Sequence, residues 1–400
     1  MLSELTSAVG ITGEIPQQMY EIYDRLELKD NIYEAEYLEY VQNEFSLFDE
    51  SNFRALKVAH SALGNNKNLL KWALLSIEYI KNCKTPDEMQ KVPMPYFDGT
   101  PEVDLVSLLV TLPFIKDAVA RYESYGYTRE DALKEMKAFN SCINIYKDET
   151  GRAAYLPSLF SWNSRKIFAT LFRSDAFEFE LTSHYLPVML LRNNETGEHR
   201  AVMTDGVFHK SGMVLGCPGL TETEGSFGPH FIETDTEIVG YEGKDGYALN
   251  KLSVFKKSEW TPTLRVGDPA IYMHIPKKTD ISPESVMKSV RSGMMKARRF
   301  FEEDIKYCYT HTWLLSPNLH ECLNAGSNIT AFRDMFYRIP VHSTGKELMP
   351  FLFTRKKIER YEDLPEATSL QRRVKQKYLN GEVIYAGAGI LTDDKFYEGE

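Results

Sequence analysis

The stretch "YMHIPKKTDISPESVMKSV" (residues 272–290) combines the end of a strand, a short basic loop and the start of a helix. Ser282 is a favoured N-cap residue and Pro283 a favoured first helical residue, so the sequence predicts that the helix begins here. The free N–H groups of its first turn would then lie beside the end of a strand predicted at 270–275. A helix start in this position is typical of sites that hold a phosphate or pyrophosphate.

The loop between that strand and that helix has two interpretations. Lys277 and Lys278 add positive charge, which favours an anion site. Glu284 in the first turn would repel an anion, and the loop lacks the glycines that let a backbone approach phosphate closely. Composition alone therefore favours a plain connection with a solvated lysine pair, and the anion site is the alternative.

Bulk properties narrow the class of protein. A length of 400 residues favours two or three domains. The formal net charge of −10 argues against nucleic-acid binding, because such proteins carry a basic footprint. No apolar run approaches the ~20 residues of a membrane span, and the first residues lack the pattern of a secretory signal. We therefore expect a cytoplasmic protein without nucleic-acid or membrane partners.

The first part of the chain has helical periodicity and the second part does not. Apolar residues recur at three- and four-residue spacing up to about residue 150, and the pattern breaks around Gly151 and Pro157. Turn sequences such as "MTDG" and "GKDG" then separate short apolar runs, which predicts an antiparallel insert at about 185–265. From residue 270 onward, strands alternate with helices.

These patterns define the expected architecture. The fold class is α+β, with an all-helical domain over residues 1–155 and a mixed α/β sheet domain over residues 156–400 that contains the insert. Two basic runs, at 354–360 and 372–377, are interpreted as solvated faces, and binding of a phosphate at the mouth of a ligand cleft is the alternative.

Four ordered motifs carry a resemblance to a known family: "HIPKKTDISPESVMKSV", "THTWLLSPNL", "SNITAFRDMF" and "LPEATSLQRRV". In this order they resemble bacterial acyltransferase-domain proteins. Those proteins pair a helical N-acyltransferase N-terminal domain with a GNAT-like C-terminal domain. The resemblance is densest over residues 270–390.

The resemblance implies a GNAT-like sheet in which strands at 270–275 and 307–315 part to form a V. The pantetheine arm of acyl-CoA or acetyl-CoA, as co-substrate, would lie in that V, and its pyrophosphate would lie at the start of the following helix. The residues implied in cofactor binding are Ile275, Lys277, Lys278, Thr279, Ser282 and Ser285. The Arg/Gln-x-x-Gly-x-Gly/Ala loop of GNAT enzymes is absent, with "PKKTDISP" in its place. A different thioester or a carrier-bound acyl donor therefore stays an alternative.

Acyl transfer to an amine needs a base, a donor to the oxyanion and often an acid for the leaving thiolate. His311 and His274 are the candidate bases, because both are predicted on the strands of the V. Tyr309 is the candidate acid, since strand alternation places it on one face with His311 and Trp313. The alternative for each histidine is a hydrogen-bonded residue of the core.

A metal site is the competing interpretation of "CYTHTWLLSPNLHEC", which contains Cys308, His311, His320 and Cys322. Residues three apart on a strand face opposite sides, so Cys308 and His311 are poorly placed to share a metal. We therefore expect no metal. The five cysteines are odd in number and mostly far apart, which argues against a disulfide framework and fits a reducing compartment.

The sequence thus predicts an N-acyltransferase that moves an acyl group from acyl-CoA to an amine of a small molecule or peptide. The alternative is a catalytically inactive GNAT-fold module for ligand binding or assembly. The oligomeric state, the acceptor and the acyl length stay open.

Overall fold

The structure, a computed structural model, describes residues 1–301, 305–324, 326–353 and 360–392. The chain forms two compact units, Met1–Phe172 and Arg173–Glu400. The domain boundary predicted after residue 155 stays a prediction. Residues 354–359 of the first predicted basic face lie outside the described residues. In the part of the chain that the structure describes, no helix is both long enough and apolar enough to cross a membrane.

The first unit is helical, as the sequence predicts. Its helices are α1 (Leu2–Ala8), α2 (Gln17–Asp24), α3 (Ala35–Phe45), α4 (Glu50–Asn65), α5 (Lys67–Ile80), α6 (Pro86–Gln90), α7 (Pro101–Thr111), α8 (Ile115–Ser124), α9 (Arg129–Met136), α10 (Ala138–Thr150) and α11 (Pro157–Ile167).

Local chemistry sets several of these helix ends. The Asp49 side chain accepts a hydrogen bond from the Asn52 N–H at the start of α4, and Thr128 accepts one from Asp131 at the start of α9. Pro113 lies in a 3₁₀ turn, Leu112–Phe114, that separates α7 from α8. A proline inside a helix removes one backbone hydrogen bond, which explains the interruption.

Apolar faces of α5 and α7 fill the core of the first unit. Trp72 and Leu75 of α5 and Leu108 of α7 are fully buried. A charged pair is buried as well: the Lys166 ammonium lies 2.8 Å from the Glu135 carboxylate, and both side chains are under 10% exposed.

The second unit is a mixed α/β unit. Its sequence begins within β1 (Leu171–Ser174) and continues with the strands β2 (Phe177–Ser183), β3 (Val188–Asn193), β4 (His199–Met203), β5 (Phe231–Glu233), β6 (Glu237–Lys244), β7 (Tyr247–Lys256), β8 (Trp260–Leu264), β9 (Pro269–His274), β10 (Tyr307–Thr312), β11 (Tyr337–Ile339) and β12 (Gly387–Thr392). Its helices are α12 (Pro283–Phe301), α13 (Asn328–Asp334), α14 (Met349–Leu352) and α15 (Ser369–Leu379).

Two sheets are built from these strands. The first has the order β1-β2-β9-β10-β12-β11, in which β9 and β10 run parallel. The second has the order β5-β6-β4-β3-β8, with β7 also paired to β6, and its pairings are antiparallel. Its strands lie within the antiparallel insert predicted at 185–265. One apolar cluster joins the sheets, with Leu190 and Ala201 of the second against Tyr309 and Ile390 of the first.

Helix α12 packs closely on the face of the first sheet that is turned away from the second sheet. A Cβ atom placed at Gly293 would lie 2.9 Å from the Phe179 ring of β2, so only glycine permits this approach. The helix begins at Pro283, as predicted from its capping residues.

The strand predicted at 307–315 is shorter than expected. It ends at Thr312, whose side chain accepts a hydrogen bond from the Leu314 N–H and starts a 3₁₀ turn, Trp313–Leu315. The prediction that Trp313 shares a face with Tyr309 is therefore wrong. Trp313 packs instead on a separate cluster that contains Leu319.

Candidate active site

The parallel strands β9 and β10 part within the first sheet. They pair at Ile271 with Cys308 and at Tyr272 with Tyr309. Beyond these positions each strand stays paired on its outer side only, β9 with β2 as far as His274 and β10 with β12 as far as Thr312. The result is a V whose outer edges are fixed by the antiparallel neighbours.

Two hydroxyl groups bridge the V near its apex. The Tyr272 hydroxyl donates to the His311 carbonyl and accepts from the His311 N–H, both at 3.1 Å. The Thr310 hydroxyl donates to the Met273 carbonyl at 2.8 Å. The backbone groups of Met273 and His311 therefore face the gap between the strands, where an extended ligand would pair with them.

His274 lies on the β9 side of the V and is paired with a carboxylate. Its Nε2 atom is 3.0 Å from Glu180 Oε2, and the two side chains are 18% and 19% exposed. The Tyr272 ring contacts the imidazole with a centroid distance of 4.4 Å. A proton on Nε2 would point toward Glu180, and Nδ1 would then be the unprotonated nitrogen of the neutral ring.

His311 lies on the β10 side of the V. Its Nε2 atom is buried and has no hydrogen-bond partner among the described residues. The pKa of this imidazole is lowered, chiefly by burial. The nearby Glu347 carboxylate acts to raise this pKa, and His342 acts to lower it further. A neutral imidazole with a buried and unused nitrogen is a suitable partner for a ligand proton, because an unpaired buried polar atom is costly.

Tyr309 is fully buried and its hydroxyl donates to the Ser183 carbonyl at 3.2 Å. Burial raises the pKa of this phenol well above its usual range. The hydroxyl that reaches into the V belongs to Tyr272, whose pKa is also raised by burial. Tyr272 and Glu180 are not among the site residues predicted from the sequence. A signal for them is present, because "FEFEL" (177–181) and "YMH" (272–274) carry charged or polar residues at every second position of a strand.

Aromatic rings form the wall of the site beside β9. The Tyr309 ring meets those of Tyr185, Tyr272 and His184 edge-on, with centroid distances of 5.4, 5.1 and 5.4 Å. The Tyr185 ring is nearly parallel to that of Tyr272 at 6.4 Å. His184 is buried, and its Nε2 atom lies 3.2 Å from the Val188 carbonyl.

The loop after β9 makes a tight turn. The Thr279 N–H donates to the Pro276 carbonyl, and Lys278 has a φ of +67°, a conformation that usually belongs to glycine. The side chains of Lys277 and Lys278 are exposed, and those of Ile275 and Thr279 are half-buried. The predicted cofactor-binding residues of the loop thus lie directly beyond the β9 arm of the V.

The start of α12 is capped as predicted but also carries an acid. The Ser282 hydroxyl accepts from the Ser285 N–H at 3.4 Å, and the Ser282 carbonyl accepts from Val286. The Asp280 carboxylate accepts from both the N–H and the hydroxyl of Ser282. An incoming phosphate would meet this carboxylate, so Asp280 is an electrostatic cost that the sequence prediction did not include.

The residues of the competing metal interpretation lie in different surroundings. Cys308 is fully buried in strand β10, and burial raises the pKa of its thiol well above the usual range. His320 Nδ1 lies 2.9 Å from the Pro317 carbonyl. Within the described ranges, no group of three or more His, Cys, Asp and Glu side chains is arranged to hold a metal ion.

Comparison with known proteins identifies the family. The family model of the GNAT-like C-terminal domain matches residues 177–391, more than half of the chain. The protein therefore belongs to the family with a GNAT-like C-terminal domain, which confirms the resemblance and the predicted fold class. No curated protein matches the sequence.

Solved structures share the fold at low sequence identity. An acyltransferase mutant in complex with octanoyl-CoA has a TM-score of 0.60 and 12% identity, with 98% of both chains covered. An acyltransferase in complex with decanoyl-CoA and teicoplanin gives the same values. A third, in complex with decanoyl-CoA, has a TM-score of 0.55 and 12% identity, covering 87% of this chain and 85% of its own. The likeness shows a common fold over nearly the whole chain.

Proposed function

We propose that this protein is an acyl-CoA-dependent N-acyltransferase. The observation that carries the proposal is the V between β9 and β10, in a family domain whose helix α12 begins directly after the β9 loop. A thioester arm can pair with the backbone groups of Met273 and His311 in that gap when it displaces the Tyr272 and Thr310 hydroxyls that are bonded to them. The structural neighbours with octanoyl-CoA and decanoyl-CoA support the same class of donor.

The donor phosphates would lie at the start of α12. Lys277 and Lys278 supply positive charge there, and the first turn of a 19-residue helix supplies N–H groups. Asp280 and Glu284 oppose an anion, so the phosphate contribution to donor affinity should be modest. The pairing of the pantetheine arm in the V then supplies most of the specificity.

The chemistry requires that one proton leaves the amine and another reaches the sulfur. The amine nitrogen attacks the thioester carbonyl, a C–N bond forms, and the C–S bond breaks to give an amide and the CoA thiol. His311 or His274 accepts the proton from nitrogen, with Glu180 holding the His274 ring. The Tyr272 hydroxyl, which lies in the V, is better placed than that of Tyr309 to donate a proton to the thiolate.

The acceptor is an amine of a small molecule or peptide. One of the neighbours was solved with teicoplanin, which supports a peptide-like acceptor as the first class to examine. Glu178 lies directly beside His274 on the neighbouring strand, and Glu180 contacts it, so two carboxylates lie beside the candidate base.

Donor binding and turnover test the proposal separately. Acetyl-, octanoyl- and decanoyl-CoA are screened by thermal shift, where a ligand at a hundredfold its Kd stabilises the protein by about 2.7 kcal/mol. Thiol release is then measured with and without an amine. Stabilisation together with amine-dependent thiol release is the expected result. No shift with any CoA thioester at millimolar concentration overturns the assignment of the donor, and binding without turnover supports an inactive ligand-binding module instead.

A further inference from the structure

Strand β7 forms an open edge of the second sheet. It is 10 residues long and pairs with β6 on one side. In the described part of the chain, no strand pairs with β7 on its other side. The middle of the strand lies in solvent, where the Leu252 and Val254 side chains are 40% and 59% exposed. A long and exposed strand edge is a surface to which another strand can pair.

The hydrogen bonds of the ladder show which backbone groups face this open edge. The Lys257 N–H donates to the Thr236 carbonyl at 2.8 Å, in register with the β6–β7 ladder. Bonded pairs alternate with unbonded pairs along an antiparallel ladder, so Leu252 and Val254 belong to unbonded pairs with β6. Their N–H and carbonyl groups therefore point away from β6, and nothing within the described ranges bonds to them from the open side.

Both ends of the open edge already have backbone partners. Ala248 faces the same way as Leu252, and its N–H donates to the Gly212 carbonyl at 2.7 Å. At the other end, the Lys256 carbonyl accepts a hydrogen bond from the Glu259 N–H at 2.9 Å. The stretch that is free to pair thus lies between these two contacts.

An apolar strip lies beside the open edge on one face of the second sheet. Val254 is the cross-strand neighbour of Val239 on β6, which is in turn the neighbour of Ile232 on β5. Ile232 is 47% exposed, and Leu252 lies on the same face as Val254 because side chains alternate along a strand. A strand that pairs with β7 would add its own side chains to this strip and bury apolar surface.

We infer that the open edge pairs with β7 of a second copy of this chain, antiparallel and about a two-fold axis at Ser253. In this arrangement each Leu252 faces a Val254 across the axis, and their outward N–H and carbonyl groups bond to each other. The apolar strips of the two copies then form one continuous strip. The inference is independent of the proposed acyl transfer.

The charges of β7 fit this arrangement, which favours a second copy as the partner. With the axis at Ser253, Lys251 faces Phe255 and Lys256 faces Asn250. No lysine is therefore opposed by another lysine, and like charges directly opposite each other would destabilise the pair.

Neighbouring axes fit less well. An axis at Lys251 places two lysines opposite each other, and an axis at Val254 places Lys251 opposite Lys257. An axis at Leu252 extends the pairing onto Ala248, whose N–H is already bonded. The position of the axis is thus a specific expectation that substitutions can test.

Sedimentation velocity from micromolar to hundreds of micromolar protein measures the dimer, and charge exchange tests the register. The native protein should show a concentration-dependent dimer. Leu252→Lys and Val254→Glu each place a charge against an apolar side chain of the other copy, and each should raise the dimer Kd roughly tenfold or more. The double variant places the new lysine of each copy opposite the new glutamate of the other. Its Kd should return to within a few-fold of the native value.

Two further sets of variants check the position of the interface. Val266 is 54% exposed and lies outside β7, so Val266→Lys is the matched control and should leave the dimer Kd unchanged. Ser253→Cys brings two thiols together at an unbonded position, where Cα atoms about 4.5 Å apart permit a disulfide. Mild oxidation should crosslink this variant, whereas Asn250→Cys should crosslink no more than the native protein.

Several outcomes would overturn the inference. A native protein that stays monomeric at every concentration would do so, and the open edge would then be left for an extended segment of a different protein. A dimer whose Kd the two folded single variants leave unchanged would place the interface elsewhere. A folded double variant as weak as the single variants would exclude the axis at Ser253. Circular dichroism of each variant shows whether it is folded.

Discussion

The hydroxyl of Tyr272 is bonded to both the N–H and the carbonyl of His311, across the gap between two strands that no longer pair. A side chain thus occupies the positions where a neighbouring strand, or a strand-like ligand, would bond. An acyl donor that enters the V must either bind beside this hydroxyl or displace it. Tyr272 therefore links donor binding to the chemistry.

Tyr272→Phe tests that link. The variant should lower kcat by roughly 10²-fold or more if the hydroxyl protonates the leaving thiolate. Thr310→Val is the matched control, because it removes the other hydroxyl that bridges the strands, the one bonded to the Met273 carbonyl. Tyr272→Phe removes the partner of the His311 N–H and carbonyl, and Thr310→Val removes that of the Met273 carbonyl. Each variant should therefore lose at least about 1–3 kcal/mol of stability. Equal kcat values in the two variants would show that the Tyr272 hydroxyl has a structural role only.

His311 should make stability depend on pH on the acid side. Its folded-state pKa lies below the usual value because of burial, so the unfolded chain binds more protons in the window below about 6.5. Stability conferred by the neutral imidazole is therefore complete above that pH and is lost as the pH falls toward the folded-state pKa. His311→Gln should show a shallower loss of unfolding free energy between pH 7 and 5 in urea titrations. An unchanged slope would contradict a buried and neutral His311.

Turnover distinguishes the two candidate bases. His311→Gln and His274→Gln each keep a hydrogen-bonding group but cannot accept the proton, and loss of the base should lower kcat by about 10²–10⁴. Donor affinity should stay within a few-fold in both. The variant with the larger fall in kcat identifies the base, and two near-native values would place the base elsewhere or in a bound water.

Two substitutions at Lys278, in the loop after β9, distinguish the effect of its charge from the effect of its backbone strain. Lys278 has a left-handed backbone, which costs a non-glycine residue roughly 1–2 kcal/mol. Lys278→Ala and Lys278→Gly remove the same charge and should weaken CoA binding equally. Only the glycine variant relieves the strain, so it should be the more stable of the two by up to about 1 kcal/mol. Native CoA affinity in both variants would exclude Lys278 from the phosphate site.

A substitution at Asp280 removes a negative charge from the proposed phosphate site, whereas the Lys278 variants remove a positive one. Its carboxylate accepts two hydrogen bonds from Ser282 at the start of α12, where a phosphate would bind. Asp280→Asn should tighten CoA binding roughly two- to fivefold, in line with the 0.3–1 kcal/mol of a charge at a helix terminus. The gain should shrink at high salt. Calorimetry at two ionic strengths measures it, and weaker binding by the variant would argue that the phosphates lie elsewhere.

The sequence predicts the parts of this fold that depend on local chemistry. The starts of α9, α12 and α15 follow from Thr128, Ser282 and Thr368, each of which accepts a bond from a backbone N–H in its helix. These signals lie within four residues, so no tertiary knowledge is needed. The helical first part and the antiparallel insert follow equally from periodicity and turn residues.

The site itself depends on contacts that the linear pattern does not contain. Glu180 meets His274 because β2 and β9 pair antiparallel, although 94 positions separate them along the chain. Trp313 leaves the strand because Thr312 caps a turn, which strand alternation cannot anticipate. The sequence also does not show which tyrosine has its hydroxyl in the V. Tyr309 is buried in the cluster between the two sheets, whereas Tyr272 is only partly buried there.

The buried Lys166–Glu135 pair of the first unit gives a test that is independent of function. The two groups are 2.8 Å apart with side chains 2% and 7% exposed. Lys166→Met leaves the Glu135 charge buried without this partner, and breaking a buried pair in this way costs roughly 3–5 kcal/mol. Replacing both residues, with Lys166→Met and Glu135→Leu, removes both desolvation penalties and should recover most of that loss. Urea denaturation of both single variants and the double variant completes the cycle. A double variant as unstable as the sum of the single variants would show that the two charges are not coupled.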